Sequence, residues 1–518
     1  MQDKGLYYAY WVALLTVTLV GMGAILVRFT EGLAVTNLSN FVPWGLWVAF
    51  YIYFIGLSAG SFLLSTLIYV FGVKRFEAVG RLAVFTALIS LVAGLAFVWV
   101  DIGHMERFYT VFYNINATSV LEWEIFLYNF YVVILLAELW LLLRRDFIRA
   151  GEGEGLAAQI CRLLALGSND VSPDSVKRDM GLVRILGAVG IPVAIGVHGG
   201  TGAIFAVVAA RPYWHSGLFP IVFLVSALAS GGALLAFLAA FFTKEGRRDR
   251  ALVPTLGKLV GGLLALDLLL LASEFLVGLY GNIPEDMAAY NAITQGPYWW
   301  VFWAVQLGLG AALPLLIIFN GRTNVSPTWV GSACLLVVAG VLGVRWNIVN
   351  PGFSGQQIEG LGSAVLPTPR AFPITRLPSQ LPEPTQWFFI LGTLVFIGAV
   401  SVIFFHLLRQ LREQRAGVLA RSGAALGLLA LILGSLWFIA NNIPMSTAAA
   451  IGPSLTAILP IPKEYAATRF SSAYTPSLIE WLASAGIIGL AVTLFTLGIR
   501  LLPMEGEPVK EGAWHVRP

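Results

Sequence analysis

Cysteine is almost absent from this chain: the 518 residues hold two, Cys161 in a polar connector and Cys334 inside an apolar run. There is no CxxC, no CxxCH and no cysteine set able to hold an iron-sulfur cluster, so the protein carries no cysteine-held redox centre. Histidine is nearly as scarce, at five. A transmembrane haem with two imidazole ligands needs two membrane histidines at matching depth. His104 and His215 fall at the outer edge, His515 lies in the tail, and His198 and His406 lie towards opposite faces. A di-haem cytochrome b is therefore disfavoured. Charge is short too, with 12% charged residues against 58% hydrophobic. A soluble domain needs a polar skin that this composition cannot supply, so the bilayer must be its solvent. The net charge of +4 does not imply nucleic acid, because the basic residues sit in short connectors between apolar runs, where they set orientation. No small-residue cleavage site follows the first apolar run, which is long enough to span and reads as a retained helix.

What is present is a series of apolar stretches near the roughly 20 residues that a bilayer-spanning helix needs. They run at about 8–27, 44–71, 82–100, 120–143, 182–210, 218–242, 259–280, 298–319, 329–348, 387–408, 426–440 and 478–502. The sequence thus predicts an all-α integral membrane protein, a bundle of about 12 transmembrane helices. Lysine and arginine in alternate connectors number 24 on one side and 8 on the other. Basic residues favour the cytoplasm, which puts both termini there. The connector 146–179 reads as a flexible cytoplasmic loop with room for a short surface helix near 156–166. The Pro-rich segments 366–384 and 444–476 read as ordered outer caps. A weak echo of 346–351 in 437–444 is as consistent with chance as with a local duplication.

Ionisable groups at membrane depth are costly unless paired or wetted, so each is a functional candidate. Helix-end distances put His198, Glu274, Glu122, Glu124 and Arg345 in the outer half, Asp101 and His104 at the outer mouth, and Asp267 and Glu138 deeper. Oxidising a quinol releases two protons with two electrons, and a cluster of acids, an imidazole and donors near one face suits that chemistry. Plainer readings stand beside this one. His198, in Gly196-Val197-His198-Gly199-Gly200-Thr201-Gly202, is either a core histidine satisfied by a carbonyl or a ligand contact given room by its small neighbours. Asp101 and Arg107 either cap and pair with each other or serve at the mouth. Arg345 either neutralises a buried carboxylate or shapes a site. Glu138 and Asp267 belong either to a proton path or to structural pairs. Trp299, Trp300, Trp303, Tyr109 and Tyr113 read as interfacial anchors.

Specific strings resemble the NrfD family, the membrane subunits of polysulfide reductase type enzymes, in particular the branch that includes the hydrogenase anchor HybB. The most specific is Asn40-Phe41-Val42-Pro43-Trp44-Gly45-Leu46-Trp47-Val48-Ala49-Phe50, followed by the Gly-rich 56–60. Asp101-Ile102-Gly103-His104 with Arg107, the segment 116–122, the His198 segment and Ser273-Glu274-Phe275 continue the likeness. It goes on through Arg345, Asn350-Pro351-Gly352, Pro476-Ser477-Leu478-Ile479-Glu480-Trp481 and Arg500-Leu501-Leu502-Pro503. The pattern departs from the family in two places. Its members commonly have eight to ten helices, whereas about 120 residues intervene here between the Asn-Pro-Gly segment and the final helix, and the position after Asp-x-Gly is His104. The resemblance therefore divides the chain into a membrane bundle 1–352, inserted outer loops with two extra helices at 353–474, and a final helix with cytoplasmic tail at 475–518.

The resemblance implies a subunit without haem or iron-sulfur cluster that is not catalytic alone. It would bind menaquinone or ubiquinone near the outer face and exchange electrons with a ferredoxin-like iron-sulfur partner, and through it with a catalytic subunit, with proton transfer as a further possibility. On that basis His198 and Glu274 contact the quinone head group and exchange its protons, Asp101 relays them at the mouth, and Trp44, His104, Glu122 and Arg345 contribute to the pocket. Two rivals remain: a 12-helix secondary transporter, against which the lack of an obvious repeat about residue 250 counts, and a purely structural membrane anchor.

Overall fold

The computed structural model describes residues 4–39, 42–243, 250–355, 474–502 and 504. Among the described residues there is no strand, and 10 helices are long and apolar enough to cross a membrane. They are α1 Lys4–Glu31, α2 Leu46–Tyr69, α3 Gly80–Asp101, α4 Val120–Gly151, α5 Pro173–Ala206, α6 Phe219–Phe242, α7 Leu252–Gly281, α8 Val301–Phe319, α9 Pro327–Val349 and α10 Leu478–Leu501. Each coincides with one of the twelve spans read from hydropathy. The expected helices at 387–408 and 426–440, and most of the expected outer caps, lie outside the described residues.

The chain divides into two compact units. Among the described residues, the first takes α1 and α10 as far as Thr493. Here Ser477 and Glu480 form a capping box at the start of α10: Ser477 Oγ accepts from the Glu480 amide at 3.2 Å, and the Glu480 carboxylate accepts from the Ser477 amide at 2.8 Å. The same carboxylate accepts from the Asn37 amide at 3.0 Å and from the Tyr474 hydroxyl, so the segment after α1 is tied to the start of α10. Satisfying these backbone donors matters because hydrocarbon offers them no alternative partner.

The second unit holds α2 to α9, with α2 at its centre, packed against α3, α5, α6 and α9. A helix apolar on all sides has to be buried on all sides, and α2 is buried along nearly its whole length. Its approach to α6 is a backbone contact at Gly60 and Gly231. A Cβ on Gly60 would fall 1.9 Å from the Ala227 carbonyl oxygen, so neither position tolerates a side chain.

The structure corrects one sequence expectation at the basic end. The connector 146–179 is largely helical: α4 runs on to Gly151 and α5 begins at Pro173 behind the N-cap Ser172, while the short helix expected near 156–166 is present at Leu156–Leu164. Arg144 holds this turn together. Its guanidinium donates to Asp179 at 2.5–2.8 Å, to Ser168 at 2.5 Å, to the Asp170 carbonyl at 3.0 Å and to Ser175. Trp140 Nε1 adds a bond of 2.8 Å to the Leu164 carbonyl.

Candidate functional site

Three polar constellations occur inside the α2 to α9 unit. In the first, His198 on α5 and Arg345 on α9 are both fully buried. They meet across α2 at Gly56, where a Cβ would lie 3.2 Å from His198 Cε1 and 3.3 Å from Arg345 Nη2. Glycine is required there because both polar heads occupy the space a side chain would take. The Arg345 guanidinium carbon lies 4.8 Å from the centre of the Phe223 ring, and the His198 ring 5.7 Å from it. The three Arg345 nitrogens have no hydrogen-bond partner among the described residues, and the His198 ring lies close to the Phe223 backbone. Asp267 is within electrostatic range of Arg345 without a hydrogen bond to it. His198 lies beside the Phe223 backbone, in keeping with the reading of a histidine facing a carbonyl, and the Arg345 charge acts on the Asp267 carboxylate, in keeping with the reading of a neutralising arginine.

The second constellation is a cavity of about 60 Å³ that Phe223 also lines. Glu274 lines it from α7, Gln306 from α8 and Asn347 from α9, within walls that include Phe223, Phe275 and Phe302. Phe275 and Phe302 stack at 5.2 Å. Gln306 lies in a π-helical stretch, Val301–Ala312, and accepts from Asn347 Nδ2 at 2.7 Å. Such widened turns recur at functional sites because they re-aim a side chain out of the regular helical register. One Glu274 oxygen, Oε2, has no hydrogen-bond partner among the described residues. Tyr213 and Tyr290 close the basic-poor end, with the Tyr213 hydroxyl donating to the Asn347 carbonyl at 2.9 Å and Tyr290 to the Glu274 carbonyl at 3.3 Å. Burial, and secondarily the nearby carboxylates of Glu274 and Asp286, push both phenols above their ordinary pKa, so they remain donors at neutral pH. Tyr213 also lines a second, polar cavity of about 300 Å³ with Arg211 and Glu285.

The third constellation is a closed network about Glu124. Its carboxylate accepts from Tyr51 at 3.0 Å, from Tyr128 at 2.6 Å and from Thr201, and the two tyrosine oxygens are 2.6 Å apart. Thr201 stands one helical turn beyond His198 on α5.

The remaining sequence candidates lie apart from these groups. Trp44 stacks on Trp214 at 5.5 Å and meets Phe205 edge-on. Glu122 is buried beside the Ser119 N-cap of α4, with Oε1 unpartnered among the described residues. Asp101 ends α3. His104 is exposed and bonds to Glu106 at 2.9 Å, and Arg107 approaches Glu106 at 3.8 Å rather than pairing with Asp101. Sequence reasoning did not single out Tyr51, Tyr128, Thr201, Tyr213, Tyr290, Gln306 or Asn347. For two of them the available signal was helical offset, since Tyr128 follows Glu124 by four and Thr201 follows His198 by three.

Residues 34–356 match the family described as "Polysulphide reductase, NrfD". The chain belongs to the NrfD family. Among relatives of this NrfD-family chain, a selenate reductase subunit of Mesobacillus selenatarsenatis is 44% identical over 361 residues, covering 68% of this chain and 84% of that protein. The Hdr-like menaquinol oxidoreductase integral membrane subunit of Archaeoglobus fulgidus is 29% identical over 80% of this chain and 95% of its own. A polysulfide reductase subunit of Wolinella succinogenes is 26% identical over 62% and 96%. The matched region ends just after the Asn-Pro-Gly segment.

Proposed function

We propose that this chain is the quinone-reactive membrane subunit of a prokaryotic oxidoreductase complex, exchanging electrons between quinone or quinol and an iron-sulfur partner docked at its basic-poor, outer face. The wider class, a membrane subunit of an oxidoreductase, is supported by relatives named as parts of selenate and polysulfide reductases. The quinone is supported by the relative named a menaquinol oxidoreductase subunit and by the cavity at Glu274.

The observation that carries the reading is the composition of that cavity. An aromatic slot with one carboxylate and two side-chain amides suits a flat apolar ring with a polar oxygen at its edge. Glu274, with Oε2 unpartnered among the described residues, is placed to take a proton from a quinol hydroxyl as electrons leave. At about 60 Å³ the space is below the roughly 300 Å³ of ordinary ligand pockets, so a ring enters only as wall side chains rotate aside. Phe223 is the wall that matters: its displacement would join the cavity to His198 and Arg345, and the unpartnered Arg345 nitrogens are donors for the second quinone oxygen.

The test uses the intact complex purified through this chain. Glu274→Gln should retain the partner subunits but lose quinol-driven electron transfer by about a hundredfold, within the range of a general base. Full activity in that variant, or a wild-type complex that neither holds nor oxidises quinol, would overturn the proposal in favour of an anchor.

A further inference from the structure

The short helix Leu156–Leu164 takes no part in the site above, and its two faces are unlike. Ala158, Cys161 and Ala165, at offsets of three and four, are buried, and Cys161 and Ala165 join the core of the bundle. Ile160 and Leu163 lie on the outward side, and Leu166 extends that apolar strip past the helix end; Leu163 is 76% exposed and Leu166 73%. Leu166 stands there on a left-handed backbone, with φ of 51°, a conformation that a bulky side chain seldom adopts. A contiguous apolar patch of this kind marks contact with a protein or with a membrane.

The course of α4 decides between the two. Val133 and Leu136 stand exposed on the apolar part of that helix, where lipid is the solvent. Trp140, Arg144, Phe147 and Gly151 follow at offsets of four, four, three and four, so they carry the same helix face on towards the basic end. Three of them hold the segment. Trp140 Nε1 donates to the Leu164 carbonyl at 2.8 Å, and Arg144 donates to Ser168 at 2.5 Å. A Cβ on Gly151 would fall 2.8 Å from Arg162 Cγ and 3.3 Å from the Arg162 amide nitrogen, so glycine there admits the short helix. With 32 residues α4 is about 48 Å long, against roughly 30 Å of hydrocarbon, and its apolar run ends at Arg144. The short helix is thus seated on the lipid-facing side of α4, at the level where α4 leaves the hydrocarbon.

We propose that the short helix and the turn through Leu166 form an interfacial anchor whose partner is the phospholipid leaflet at the basic end of the bundle. Ile160, Leu163 and Leu166 lie among the upper acyl chains, and the exposed Gln159 and Arg162 lie at the level of the headgroups. The anchor sets the height of the turn between α4 and α5 in the membrane, and it stands independently of the quinone reading.

Photo-crosslinking tests this in the intact complex, held in nanodiscs of palmitoyl-oleoyl phosphatidylethanolamine and phosphatidylglycerol. Benzoylphenylalanine replaces Leu163 or Leu166, both exposed, so that the packing of the bundle is left in place. Val133 serves as the lipid-facing reference, and Glu154, exposed in the polar turn before the helix, as the water-facing one. After irradiation, mass spectrometry of this chain should find phospholipid adducts at Leu163 and Leu166 within about threefold of those at Val133 and about tenfold above those at Glu154. Adducts as rare as at Glu154 would mean that water covers the patch, and adducts to another polypeptide would mean that a protein does. Either result overturns the anchor.

Discussion

His198 and Arg345 reach the same point in the bundle from helices 147 residues apart in sequence, and α2 yields to them there with Gly56. Both side chains are fully buried, and the Arg345 guanidinium, with no hydrogen-bond partner among the described residues, is a site of unmet donors. Such groups at membrane depth are costly until another molecule completes them. Phe223 lies against both and also lines the Glu274 cavity, so it touches the donors and the carboxylate's cavity alike.

Arg345→Met should therefore separate stability from activity. Burying a cation that no acceptor hydrogen-bonds costs several kcal/mol, which an apolar side chain of similar length avoids. The thermal midpoint of the complex should hold or rise, while quinol-driven turnover falls about tenfold to a hundredfold, the worth of a charge-assisted hydrogen bond of about 1.5–3 kcal/mol. Thermal unfolding followed beside steady-state turnover checks this, and a variant that loses stability and activity together would mark Arg345 as structural.

Gly56→Leu makes the complementary change, adding bulk without removing a polar group. The new Cβ would begin 3.2–3.3 Å from His198 and Arg345, and the rest of the side chain has nowhere to go without moving them. Overpacking of this kind costs about 1–3 kcal/mol. The expected result is a moderately destabilised complex whose affinity for quinol falls more than its assembly does, read from KM against kcat and from the recovery of partner proteins after purification.

Hydropathy made α1 to α10 legible because bilayer thickness dictates span length whatever the sequence does elsewhere. It failed where helices leave the hydrocarbon. The stretch beyond residue 146 looked like a loop because its order comes from Arg144 binding Asp179, Ser168 and Ser175, a long-range arrangement that leaves no periodic trace. The candidate site was readable in the same uneven way. Charge at depth singled out His198, Arg345 and Glu274, but the order of the walls between them depends on Phe223, one phenylalanine among 33. Tyr51, Tyr128 and Thr201 escaped notice because hydroxyls are ordinary in membrane helices until a buried carboxylate collects them.

The Glu124 network should behave as a unit. Tyr51→Phe and Tyr128→Phe each remove one donor from a buried carboxylate, at about 1–3 kcal/mol. Because the two hydroxyls also face each other at 2.6 Å, the double variant should cost measurably less than the sum of the singles. A thermal-stability cycle on the four proteins measures the coupling, and strict additivity would mean that the two tyrosines act independently.

Arg144 provides a structural contrast with Arg345, since the two guanidiniums are both buried but only Arg144 is surrounded by acceptors among the described residues. It binds Asp179 at 2.5 Å and holds the turn between α4 and α5 through Ser168 and the Asp170 carbonyl. Removing it strands the Asp179 carboxylate at a buried position, a change that costs about 3–5 kcal/mol when one partner of a buried pair is lost. Arg144→Met should therefore lower the thermal midpoint sharply and open the 152–172 segment to protease from the basic side, while any protein that remains folded oxidises quinol at the normal rate. Introducing Asp179→Asn alongside it should recover part of the stability, because the stranded charge is then gone. If Arg144→Met were as stable as the wild type, burial of an arginine in this bundle would carry no information about its partners, and the contrast with Arg345 would lose its force.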